Sequence, residues 1–272
     1  MYQFLWLVPL GFIVGTFGTL IGAGGGFILV PILLLIYPDR SPETITAISL
    51  AVVFFNSLSG TVAYARMKKI DYKSGLIFAA ATLPGSILGS LTVSLIPRKA
   101  FNLVFGTFLI IGSIYLFIRP QNKSRGVRYT KSYITRTVTD VEGEVYTYSY
   151  NLVLGIIISV LVGYISSLLG IGGGIIHVPV MIQLLNFPVH LATATSHFAL
   201  VAMSLTSSIV HLLTGALSKE APQIIGLSVG VLLGAQLGAR LSEKLKGSWI
   251  VRSLALALGI VGTRILIISF SQ

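Results

Sequence analysis

Ten apolar runs, most of them long enough to cross a bilayer, constrain this chain more than any other feature. They cover roughly 2–21, 25–37, 43–65, 74–96 and 99–118, and then 152–169, 173–186, 190–214, 221–241 and 249–268. A helical crossing needs about 20 such residues. The chain is therefore expected to be an all-α polytopic membrane protein of 8 to 10 transmembrane segments. Only 10% of its 272 residues are charged and the mean hydropathy is +0.90, whereas a soluble domain carries about a quarter charged residues. Lipid must cover most of this surface, since a water-soluble protein of this size needs more polar side chains outside. The N-terminal MYQFLWLVPLGFIVG has no basic stretch ahead of its apolar run, so it reads as a first span and not as a removable signal.

The formal charge of +11 does not imply nucleic acid, because the Lys and Arg residues sit between apolar runs and form no stripe with interleaved aromatics. That placement suits the anionic cytoplasmic leaflet of a cell (inner) membrane. Taking Arg66, Lys68, Lys69 and Lys73 as cytoplasmic and counting crossings puts Arg119, Lys123, Arg125, Arg128, Lys131, Arg136, Arg240, Lys244, Lys246 and Arg252 on the same side. Arg40, Arg98, Lys99, Lys219 and Arg264 fall on the other, and both termini are then extracytoplasmic. The bias supports this orientation.

Residues 119–150 separate the two sets of runs and carry alternating Val, Tyr and Thr around Glu142-Gly143, the pattern of a β-hairpin in a cytoplasmic loop. The expected organisation is a first membrane repeat at 1–118, this loop at 119–150, and a second membrane repeat at 151–272. The two repeats resemble each other. Gly22, Gly24, Gly25, Gly26 and Pro31 match Gly170, Gly172, Gly173, Gly174 and Pro179 at a constant spacing, Thr46-Ala47-x-Ser49 matches Thr193-Ala194-x-Ser196, and Gly85-x-x-x-Gly89 matches Gly234-x-x-x-Gly238. An internal duplication accounts for this. In the assumed topology the two copies insert upside down, an arrangement common in transporters.

Each copy breaks its hydrophobic beginning with a glycine cluster and resumes for only a short run. Glycine lets the backbone leave the helix and lets a ligand approach closely, and the helix that restarts begins with free N–H groups and a partial positive charge. Such a start attracts anions, and paired, Gly-broken segments point to a transport site. The alternative for these glycines is tight helix packing. Gly24, Gly25, Gly26, Gly172, Gly173 and Gly174 are the candidate donors.

No Asp or Glu falls in the middle of a run, which favours an anion over a cation as cargo. Asn56, the largest polar side chain of its span, is a candidate for the pocket, with Ser196 and His197. His177 and His197 follow a glycine cluster or lie in a span and could carry a coupling proton, although a buried His also bonds to neighbouring carbonyls. Ser57, Ser59, Ser204, Thr206, Ser207 and Gln236 read equally well as intramembrane hydrogen-bonding or packing residues. With no cysteine and no suitable His pair, no metal site is expected. No cofactor signature or nucleophile–base arrangement appears, so the chain is not read as an enzyme.

In GAGGGFILVP at 22–31, GIGGGIIHVP at 170–179, the Ala-x-x-Ser stretches near Ser49 and Ser196, PGSILG at 84–89 and GAQLGARL at 234–241, the chain resembles the TauE/SafE sulfite exporters, also grouped as toluene sulfonate uptake permeases. The resemblance implies a permease for sulfite, organosulfonates or related sulfur-containing anions, exporting and proton-coupled. Lys69-Ile70-Asp71 keeps the Asp of the family's Gly-x-Asp pattern without its glycine, and Lys219-Glu220 keeps neither. The expected partners are a small anionic substrate and the lipid bilayer; assembly as a homo-oligomer is open. The alternatives are a passive anion channel and, behind it, a cation permease that uses the histidines.

Overall fold

The structure, a computed structural model, describes residues 6–118, 133–218, 220–244 and 247–271. The 119–132 part of the central loop, and Lys219 and Lys246 of the charge count, lie outside the described residues. The protein is mostly helical. The helices are α1 (Leu7–Ile21), α2 (Gly26–Ile36), α3 (Pro42–Arg66), α4 (Tyr72–Thr92), α5 (Arg98–Ile118), α6 (Leu152–Leu169), α7 (Gly174–Gln183), α8 (Val189–Leu213), α9 (Ala221–Lys244) and α10 (Gly247–Ser271). Strands β1 (Tyr133–Thr139) and β2 (Val145–Asn151) pair antiparallel from Tyr133↔Asn151 to Thr139↔Val145. Among the described residues, five helices are long and apolar enough to cross a membrane: Pro42–Arg66, Tyr72–Leu95, Leu152–Leu169, Val189–Leu213 and Ala221–Ser242.

Local sequence sets the helix ends. Ser41 caps α3, its hydroxyl accepting from the Thr44 amide at 3.2 Å, with Pro42 at the first position and Glu43 in the first turn, the residue types that satisfy and complement a helix N-terminus. Asp71 caps α4 and Asn151 caps α6 in the same way. Helix α1 stops at Gly22, whose φ of 78° is left-handed, with the Ala23 amide returning to the Gly18 carbonyl at 2.8 Å. Gly170 ends α6 likewise at φ 69°. A residue with a Cβ resists that conformation, so glycine is the natural stop.

The helices pack reciprocally. The first helix of each set lies against the fourth of the other (α1 on α9, α6 on α4), the third helices pack together (α3 on α8), and so do the fifth (α5 on α10). Lipid offers no hydrophobic drive for helix association, so close van der Waals contact must provide it. Gly230 and Gly234 abut the backbone of Val8 and Phe12 on α1, while Gly85 and Gly89 abut that of Val160 and Tyr164 on α6. The small-residue motifs of α4 and α9 are thus seams between helices. The outward faces carry exposed Leu76, Leu88, Ile111, Ile157, Leu233 and Ile260, as a lipid-facing surface requires.

The two glycine-broken pairs approach from opposite ends. Helix α1 runs parallel to α9, with Gly11 against Leu227 and Gly15 against Val231, and α2 returns to the end where α1 begins. There the Arg98 guanidinium donates to the carbonyls of Leu34 and Arg40 at 2.8 and 2.6 Å, and Arg40 pairs with Glu220. Helices α6 and α7 start and finish at the end that carries the hairpin: the Tyr150 and Phe187 rings meet at a tilt with centroids 5.2 Å apart, and the Asn186 amide donates to the Ser149 carbonyl at 3.3 Å. At about 1.5 Å per residue, α2 and α7 reach only about 15 Å; neither can span a hydrocarbon core of about 30 Å.

Candidate functional site

The two glycine breaks touch. Gly26, at the start of α2, faces the second break so closely that a β-carbon there would lie 2.6 Å from the Gly170 carbonyl oxygen and 2.8 Å from the Ile171 carbonyl carbon. A β-carbon on Gly174 would overlap the Gly22 carbonyl oxygen and lie 2.7 Å from the Ala23 Cα. The third helices close the junction crosswise, since Gly22 rests on Thr193 of α8 and Gly170 on Thr46 of α3. Val53 fills the space beside both Gly24 and Gly172, and Leu200 and Met203 lie beside Gly173. The junction is sealed by backbone and by three apolar side chains.

The amides at the breaks are not all available. Gly24 donates to the Gly18 carbonyl at 3.1 Å and Gly174 donates to that of Gly172, because each tight stop consumes its own turn. Among the described residues, the N–H groups of Gly25, Gly26, Gly172 and Gly173 have no acceptor. These are the orphan donors that a helix start leaves behind.

A buried polar knot adjoins the first break. The Thr19 hydroxyl, one turn before Gly22, donates to Asn56 Oδ1 at 3.2 Å and lies 3.3 Å from His197 Nε2. Tyr64 donates its phenolic O–H to the Thr19 carbonyl at 2.7 Å and meets the His197 ring edge-on at 5.8 Å. Gly60 leaves room for that ring, for a β-carbon there would fall 2.5 Å from its Nε2. Thr19 meets His197 Nε2 as donor or acceptor according to the ring tautomer. Asn56 Nδ2, Ser196 Oγ and His197 Nδ1 are buried with no hydrogen-bond partner among the described residues.

Not every candidate converges here. His177 lies elsewhere, 3.3 Å from Ser159 Oγ and edge-on to Phe78 at 5.5 Å. Ser57, Ser204 and Thr206 bond back to the preceding turn of their own helices, while Ser207 pairs with Ser167 and Gln236 donates to Ser59. Ser49, the counterpart of Ser196, donates to the Gly170 carbonyl at 2.6 Å. Among the described residues no group of three or more His, Asp or Glu could hold a metal. Thr19 and Tyr64 are the polar residues that the sequence reading overlooked. A hint was there, because Thr19 matches Ser167 at the spacing of the glycine clusters.

A family model described as Sulfite exporter TauE/SafE matches residues 7–265. The chain is similar to the probable membrane transporter protein YunE of Bacillus subtilis, at 38% identity over 97% of both chains. It is also similar to a probable membrane transporter protein of Methanocaldococcus jannaschii, at 33% identity over 72% of this chain and 68% of the relative. Sulfite exporter TauE/SafE family protein 3 of Arabidopsis thaliana is 30% identical over 45% of this chain and 26% of its own. No solved structure matches.

Proposed function

From the premise that this chain belongs to the TauE/SafE sulfite exporter family and is a multi-pass membrane transporter, not an enzyme, we propose that it carries sulfite or an organosulfonate through the glycine junction together with a proton. The observation that supports this reading is the set of unpartnered groups Asn56 Nδ2, Ser196 Oγ and His197 Nδ1, buried beside the break. Two of these groups, the Asn56 amide and the Ser196 hydroxyl, are donors, and leaving one buried donor unsatisfied costs about 1–3 kcal/mol, so they suit a ligand that brings acceptors. An oxyanion brings nothing else. A proton taken up by the His197 ring turns it into a cation with two donors, so proton and anion favour each other's binding. The free amides of Gly25, Gly26, Gly172 and Gly173 add helix-start charge of the same sign.

In the membrane, α3, α4, α5, α8, α9 and α10 cross fully, while α1–α2 and α6–α7 dip in from opposite sides and return. The hairpin end faces the cytoplasm, with Arg66, Lys68, Lys69, Lys73 and Arg136 gathered there. The reciprocal contacts and the opposed breaks support an inverted pair of repeats, in which alternating access parts one break from the other. Val53 and Leu200 would separate as this happens. Proton–anion cotransport implies that direction follows the combined gradients, and export needs an outward anion gradient.

Flux of sulfite into proteoliposomes, with and without a pH gradient, tests the proposal. Wild-type flux should rise with the gradient and His197→Gln should respond to it weakly. Asn56→Leu and Ser196→Ala should lose sulfite binding yet elute as folded protein, since Ser196 Oγ and Asn56 Nδ2 hold no protein partner and Asn56→Leu gives up only the hydrogen bond from Thr19. Gradient-blind conductance would establish a channel instead. Undiminished binding in all three variants would remove the site.

A further inference from the structure

Strand β1 and the turn between α3 and α4 enclose a cleft of about 490 Å³ at the hairpin end of the molecule. Lys68, Lys73, Thr135, Arg136 and Thr137 line it, with Asp71 at its base. Lys68 and Lys73 are exposed and have no acidic partner among the described residues, and Lys68 is held in a left-handed conformation at φ 54°. Asp71 does not cancel these charges. Its carboxylate already accepts from the Ser74 amide at 3.1 Å and the Tyr148 hydroxyl at 2.7 Å, and it lies 3.9 Å from Arg136 Nε. Arg136 Nε has no hydrogen-bond partner of its own among the described residues. Lys69 points away toward Asp140 Oδ2 at 4.0 Å, and Glu142 and Glu144 lie at the hairpin turn.

We infer that this cleft binds a phosphate group. Lys68 and Lys73 line it without an acidic partner among the described residues, and Arg136 lines it with its charge shared with Asp71, which suits a multiply charged oxyanion that accepts from the lysines and from the remaining guanidinium N–H groups. The neighbouring surface identifies the level in the membrane. Leu58 and Val62 on α3 and Leu76 on α4 are exposed apolar residues, and Tyr72 is exposed at the first position of α4. Apolar faces ending in tyrosine and lysine mark the height of lipid headgroups. The phosphate therefore comes from an anionic phospholipid or from free phosphate. Occupancy bears on the transport region, because the Asp71 amide donates to Thr195 Oγ1 at 3.1 Å, one residue before Ser196. A ligand that ties Arg136 to the turn fixes the hairpin over that hydrogen bond.

The full chain in nanodiscs tests this with Lys68→Gln/Lys73→Gln as the variant and Lys99→Gln, at the opposite end, as the control; monodisperse elution verifies folding. In phosphatidylcholine nanodiscs, titration with inorganic phosphate is followed by calorimetry. In nanodiscs that also contain phosphatidylglycerol, retained lipid is counted by native mass spectrometry. Saturable phosphate binding that weakens at least about tenfold in the double variant, where two of the three cations have been neutralised, assigns the cleft to free phosphate. Retention of phosphatidylglycerol that disappears only in the double variant assigns it to the headgroup. If neither readout separates the double variant from wild type, or if Lys99→Gln behaves like it, the cleft is not a phosphate site.

Discussion

Gly174→Ala probes the sealed junction most directly. Gly174 begins α7 without positive φ, so alanine is acceptable to its backbone and the effect must come from contact alone. The new methyl would overlap the Gly22 carbonyl oxygen and stand 2.7 Å from the Ala23 Cα and 2.9 Å from the Gly22 carbonyl carbon. Carbon atoms at rest sit about 3.5–4.0 Å apart, so one break must retreat by about 1 Å. The obstacles are backbone atoms braced by Thr193 and Val53, with no rotamer to yield. Overpacking of this kind costs about 1–3 kcal/mol, while replacing glycine within a helix returns about 0.5–1 kcal/mol. The net loss is up to about 2.5 kcal/mol, or up to about 10 °C in Tm on the scaling for domains of this size. Gly112→Ala is the matched control in α5, where the nearest atom is the Leu258 Cδ1 at an ordinary 3.5 Å; it should leave Tm unchanged or raise it. Thermal unfolding in detergent gives the stability and proteoliposome flux the function, with Gly174→Ala expected to lower both. Equal Tm and equal flux in the two variants would refute the sealed junction.

Other perturbations address the two ends. Asp71→Ala removes the acceptor of Tyr148 and Ser74 and strands Arg136, a loss of about 2–4 kcal/mol for a buried charged network; limited proteolysis should then cut within 133–151, and an unchanged digest would contradict the docking. Burial first, and then the charge of Asp71, raise the Tyr148 pKa above its ordinary 10.0. Because the folded form favours the neutral phenol, this contribution is complete below the ordinary value and is lost as pH rises above it. Hairpin protection should therefore fall above about pH 10, and Tyr148→Phe should flatten that part of the profile; a profile unchanged by the substitution would exclude Tyr148. Arg98→Lys keeps the charge but loses the fork that holds the Leu34 and Arg40 carbonyls, so thermal unfolding should register a loss of about 1–3 kcal/mol.

Helix placement was readable from the chain because its causes are local. The caps at Ser41, Asp71 and Asn151 act within three residues, and Gly22 and Gly170 stop their helices through their own dihedrals. The repeated spacing of the glycine clusters was equally visible. Asp71 was less legible. Its position at a span end could be read, but its burial comes from Tyr148, 77 residues away. The same distance hid Thr19, whose hydroxyl looks like any intrahelical threonine until Asn56 and His197 arrive beside it.

The sequence by itself determined where lipid must be the solvent, where helices begin and end, and that one glycine-broken unit occurs twice, since run length and backbone freedom belong to the chain at each point. Only the tertiary structure decided that the two breaks seal each other and that Thr19 holds together partners 37 and 178 residues distant. Inside a bilayer those contacts arise from how closely helix backbones can approach, and that is a property of packed surfaces that no single segment carries.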